Sequence, residues 1–131
     1  MHVFDFYTAV QSTNELARLL SKLGRHPLGT ETIPDLDGTV RVIIPALSFE
    51  DYLELACGQI RRRSAGEPMV SRALVRMLRD VGTVVVTDTR KASIAEQLRL
   101  VLATAERSVK EPEDLDLVRS DAEQALRRVE T

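Results

Sequence analysis

Apolar residues recur along this chain mostly at the spacing of a helix that buries one face. From Thr8 to Leu23, the residues Ala9, Val10, Leu16, Leu19, Leu20 and Leu23 share a side, and Gly24 suits the left-handed position that closes a helix. The pattern then changes. Ile33-Pro34 and Leu36 precede Asp37-Gly38, and Thr39 to Pro45 alternates before turning apolar. Asp-Gly between two such runs predicts a β-hairpin, with Pro34 confining the first strand to an edge. Ser48 opens a second helix, with Asp51 three residues on in the capping-box position usually held by Glu or Gln. Phe49, Tyr52, Leu53, Ala56, Cys57 and Ile60 lie on one face of that helix, which is expected to fray near Ser64-Ala65-Gly66.

Pro68 fits the first turn of a third helix, whose pairs Met69/Val70, Ala73/Leu74 and Met77/Leu78 lead to Val81. Gly82 to Thr87 is β-branched, yet it lies between two helices, so it is read as a helical continuation or a tight connector. From Asp88 a fourth helix places Ile94, Leu98, Val101, Leu102, Ala105 and Val109 on one stripe. Glu111-Pro112 then punctuates, and Leu115, Val118, Ala122, Leu126 and Val129 mark a fifth helix. The expected fold is mainly α with an α+β minor component: a compact bundle of about five amphipathic helices with one appended β-hairpin, in which residues 1–131 form a single helical domain.

Composition narrows the function classes. At 44% hydrophobic and 29% charged, the 131 residues exclude a disordered, collagen-like or disulfide-built chain. Eighteen Lys and Arg against 20 Asp and Glu exert no global pull on nucleic acid. Aromatics make up 4% and Trp is absent, which disfavours stacking platforms for single strands, so no nucleic-acid partner is expected. The single Cys57 forms no internal disulfide and fits a reducing, cytoplasm-like compartment. No run approaches the roughly 18 apolar residues of a membrane span, so the chain as given is expected to be soluble.

Several segments follow one another as landmarks: Phe4 to Val10, Arg25-His26-Pro27-Leu28, the Asp37-Gly38 turn, Pro45 to Tyr52 with Ser48-Phe49-Glu50-Asp51 inside it, and Gln59-Ile60-Arg61. In this order and spacing the chain resembles the bacterial predicted-membrane-protein family known as domain of unknown function 2254, most clearly from Thr8 to about Leu78. The resemblance implies a soluble C-terminal part of a protein whose N-terminal part is a set of membrane helices. It further implies that this part lies at the cytoplasmic face of the bacterial plasma membrane.

The chemistry-bearing residues each have a plain structural reading beside a functional one. His26 is the best-placed group titrating near neutral pH, with His2 its only companion, and it reads as a loop residue bonding backbone ahead of Pro27. No His-x-x-x-His, Cys-x-x-Cys or Gly-rich phosphate loop occurs, so no metal or cofactor is expected. Cys57 lies on an apolar helix face and reads as core, although Arg61 is four residues on.

The densest feature is basic. Arg61, Arg62 and Arg63 end one helix, while Arg72, Arg76 and Arg79 stripe the next. On an antiparallel helix hairpin these six would share an end or edge able to hold phosphates or acidic headgroups. The plain alternative is dipole complementarity plus an Arg76–Asp80 pair. Dipole complementarity likewise accounts for Glu111, Glu113, Asp114 and Asp116 at the start of the last helix.

The leading functional expectation is a non-enzymatic regulatory or assembly module that joins a second copy of itself or a membrane-protein partner. One alternative is a small-molecule sensor or enzyme with a pocket at His26, Tyr52, Gln59 and Arg61. The other is an anion or lipid-headgroup binder working through the arginine cluster.

Overall fold

The computed structural model describes residues 6–24, 30–34, 40–45 and 48–131, with side-chain surroundings at 8–22 and 48–131. Five helices carry it: α1 (Phe6–Gly24), α2 (Phe49–Arg63), α3 (Pro68–Gly82), α4 (Asp88–Ser108) and α5 (Pro112–Glu130). Their ends follow local chemistry. The Ser48 side chain accepts the Asp51 amide at 3.1 Å while the Asp51 carboxylate accepts the Ser48 amide at 3.1 Å, so the shorter Asp completes the capping box. Pro68 and Pro112 occupy the first turns of α3 and α5, where a missing N–H costs nothing.

Helix α3 is the centre of the fold. It touches α1, α2, α4 and α5, and Val70, Ala73, Leu74, Val75, Met77, Leu78 and Val81 are all buried along it. Only a narrow stripe, with Arg72, Arg76 and Asp80 at four-residue spacing, reaches solvent. Leu74, Leu78, Ile94 and Leu98 fill the middle, each contributing about 1.5–3 kcal/mol by leaving water. Partner pairs set the helix directions. Arg99–Glu130 and Arg119–Glu106 (3.8 Å) run α4 and α5 antiparallel. Arg72 meets Asp121 at 2.7 Å, and further along both helices a Cβ on Gly82 would stand 2.8 Å from Val129 Cγ2, so α3 and α5 run parallel.

The connections are short. Gly66 turns the chain from α2 into α3 at φ +92°, a conformation natural to glycine, beside the Ser108 carbonyl at the end of α4. The β-branched run after α3 is a tight connector: Thr83 and Val84 donate their amides to Asp80 and Val81 carbonyls, Val85 is buried, and Thr87 caps α4.

The expected α+β minor class needs correction. Every buried residue among those described belongs to a helix or to the connectors beside one, and the packed body contains no β layer. The backbone does pair antiparallel between Thr30–Pro34 and Val40–Pro45, Thr30 opposite Pro45 and Ile33 opposite Val42. The five helices nonetheless make up most of the described residues, and the fold is mainly α. The physical reason lies in α3, whose apolar surface is already covered by four helices and needs no sheet. The Asp37-Gly38 turn lies outside the described residues.

Candidate functional site

Arg61, Arg62 and Arg63 leave the end of α2 in different environments. The Arg61 guanidinium, 11% exposed, lies against Glu54 at 3.6 Å and donates to Gln97 Oε1 at 3.2 Å. Gln97, buried on α4, donates in turn to Glu54 Oε2 at 2.7 Å. Arg62 reaches back two turns to Glu54 Oε1 at 3.2 Å, lying over Gly58, where a Cβ would come within 2.9 Å of its guanidinium. The Gln97 hydrogen bond first, and then the two guanidiniums, hold the Glu54 carboxyl below its usual range against an opposing desolvation. Ser93 Oγ adds a bond to Glu50 at 3.4 Å one turn away, so α2 and α4 run parallel, joined by polar bonds. Arg63 is exposed at the end of α2.

The pocket expected at His26, Tyr52, Gln59 and Arg61 rests on one helix for three of its members. Nine residues at 100° each turn Arg61 about 180° around α2 from Tyr52. Tyr52 packs half-buried against the core, Gln59 is exposed, and Arg61 turns inward to α4. His26 lies outside the described residues. Cys57 is fully buried, and burial pushes its thiol up to about 12 despite nearby Arg61, so it packs as a small apolar group.

The second arginine set faces a different surface. Between α3 and α5, with Val10 of α1 at its edge, runs an open groove of about 590 Å³. Arg72, Arg76 and Arg79 line it from α3, and Gln124 and Arg128 from α5. Met69, Ala73, Leu117 and Ala125 give it apolar surface. Arg72 is held by Asp121, and Arg79 by Asp80 at 3.1 Å. Asp80 is thereby taken, so the expected Arg76–Asp80 pair is not formed. Among the described residues, the Arg76 and Arg128 guanidiniums have neither an ion-pair nor a hydrogen-bond partner.

The groove is electrically polarised for a simple reason. Each helix places acids near its start and bases near its end, as its own dipole favours. Glu67 caps α3 and Arg79 ends it; Asp114 lies in the first turn of α5 and Arg128 in its last. Because the two helices run parallel, acid stands beside acid at one end of the groove and base beside base at the other. Asp114 therefore faces this groove as well as serving its helix dipole. Arg128 and Gln124 were invisible as site residues in the sequence, since nothing local sets them apart from any solvent-facing pair four residues apart.

Such an arrangement defines a helical domain with a polar-ended groove. The chain belongs to the predicted membrane protein family DUF2254, which residues 3–80 match. It is 32% identical over 126 residues to uncharacterised proteins of Mycobacterium bovis and Mycobacterium tuberculosis, covering 96% of this chain and 24% of each relative. The chain thus spans about a quarter of the length of those relatives. No solved structure matches it. Among the described residues no helix is long and apolar enough to cross a membrane.

Proposed function

We propose that this domain is a non-enzymatic regulatory module of a membrane protein, lying on its cytoplasmic side and working by binding at the α3–α5 groove. One observation carries the reading: two guanidiniums without an intramolecular partner line an open, partly apolar groove of about 590 Å³. That volume falls within the roughly 300–1,000 Å³ of small-ligand sites. Arg61 and Arg62, by contrast, are consumed, Arg61 in a bond that fastens α2 to α4 and Arg62 in a bond to Glu54 of its own helix.

The test is a thermal-shift screen of small metabolites on the intact chain and on Gln124→Trp, which narrows the groove from an exposed position. Ligands are expected to raise the Tm of the wild type and not of Gln124→Trp, and to be recovered chemically unchanged. A screen without hits, protection that survives the filled groove, or conversion of a ligand would each defeat the reading.

A further inference from the structure

We propose that the α3–α5 groove is a binding site for a small phosphomonoester, its phosphate at the Arg76–Arg128 end and a hydroxyl or amino group toward Asp114. The inference rests on the groove being the binding surface and adds the ligand's chemistry and direction.

Charge selects the phosphate. With Arg72 engaged by Asp121, the base-rich end still presents Arg76 and Arg128 unpaired and Arg79 in an exposed pair with its neighbour Asp80. An exposed pair of that kind is worth little and opens easily. A carboxylate brings one charge and two acceptor oxygens, which leaves part of such a cluster unanswered. A phosphomonoester brings nearly two charges and three strong acceptors, matching several guanidiniums that can bind in bidentate fashion. Gln124, at the same level of α5, adds an amide donor.

Shape and the opposite end set the remainder. Asp114 stands ten residues before Gln124, about 15 Å along the helix. That span suits a phosphorylated sugar or nucleoside lying lengthwise, its ring over Met69 and Leu117, both 47% exposed. Asp114 and Glu67 then accept from hydroxyl or amino groups at the far end. The same carboxylates argue against an anionic membrane surface, which they would repel.

The experiment titrates the ¹⁵N-labelled chain with AMP, glucose 6-phosphate and glycerol 3-phosphate, each beside its control: adenosine, glucose and glycerol. At least one phosphate compound should give saturable shifts at Arg76, Gln124 and Arg128, where its control gives none. Arg76→Ala with Arg128→Ala should weaken that affinity at least about tenfold with an unchanged circular-dichroism melt. Arg76→Lys should fall between wild type and the double variant, because it keeps the charge and loses the fork. Arg63→Ala, outside the groove, should leave binding unchanged.

Silence from all three phosphates, equal binding of a control, or an undiminished double variant would overturn the proposal. Retention on phosphatidylglycerol vesicles that excess AMP fails to displace would do so as well. If the paired screen finds ligands that protect the wild type and not Gln124→Trp and all of them lack phosphate, the binding reading stands and only this proposal falls.

Discussion

Arginine is used in opposite ways at two neighbouring helix pairs. Between α2 and α4, Arg61 ends in Gln97 and acts as a fastener, while Arg62 ends in Glu54 of its own helix. Between α3 and α5, Arg76 and Arg128 end in the groove without a partner. The difference follows from what the facing helix offers. Helix α4 offers Arg61 the Gln97 amide, with Glu54 of α2 itself also in reach, whereas the α5 turn beside Arg76 presents Gln124 and Arg128. Guanidiniums that meet an amide and a carboxylate stabilise the fold; those that meet another cation remain available to something outside the chain.

The sharpest way to break this contrast is Gln97→Leu, which leaves the mostly buried Arg61 without its amide acceptor. Denaturant unfolding should show a loss of about 2 kcal/mol, as Arg61 and Glu54 each lose a bond to the buried amide, whereas less than 0.5 kcal/mol, roughly the limit for a neutral surface change, would make Arg61 no fastener. The two glycines sharpen the comparison next. A Cβ at Gly82 would meet the stiff Val129 side chain at 2.8 Å, so Gly82→Ala should cost about 1–2 kcal/mol by overpacking. At Gly58 the nearest atoms are the mobile ends of Glu54 and Arg62, which can swing aside. Gly58→Ala should therefore raise stability by up to about 1 kcal/mol through helix propensity while displacing Arg62 from Glu54. Equal losses at both glycines would erase the distinction between a rigid and a yielding contact.

A smaller effect is read by pH. Since folding lowers the Glu54 pKa, the carboxylate contributes stability above its ordinary 4.5, and that contribution fades as pH falls through the lower folded value. Because Glu54 is 46% exposed, the contribution should be only a few tenths of a kcal/mol. Glu54→Gln should flatten the wild-type decline below pH 4.5 by that amount, and an unchanged slope would count against the bridge. The smallest expected change is at the groove. Arg76→Ala with Arg128→Ala should move stability by no more than about 0.5 kcal/mol, since neither guanidinium holds anything within the chain. A larger loss would make them structural after all.

Helix positions and their buried faces were legible from local pattern. Ile94, Leu98, Val101 and Ala105 fall on the predicted stripe of α4 and are buried, and Ser48 and Asp51 close the predicted cap. Periodicity and capping are short-range, so a sequence displays them directly. Leu19 departs from its predicted stripe at 55% exposed, while Thr13 is buried on α1 with its hydroxyl bonded to the Val10 carbonyl at 2.6 Å. A hydroxyl satisfied within its own helix can be buried without cost, which hydrophobicity alone does not reveal. Alternation and a turn signal say that two strands can pair, and they do not set the class of the body that the helices build.

By itself, then, the chain determined five one-sided helices, their ends, and the acid-to-base run along α3 and α5. It did not determine which arginines stay unpaired. Helical periodicity and dipole complementarity act over one or two turns, but the availability of a guanidinium depends on the residue that packing brings beside it. Asp121 stands 49 positions beyond Arg72 and Gln97 stands 36 beyond Arg61. Only the parallel alignment of α3 and α5 turned two ordinary charge gradients into one polarised groove.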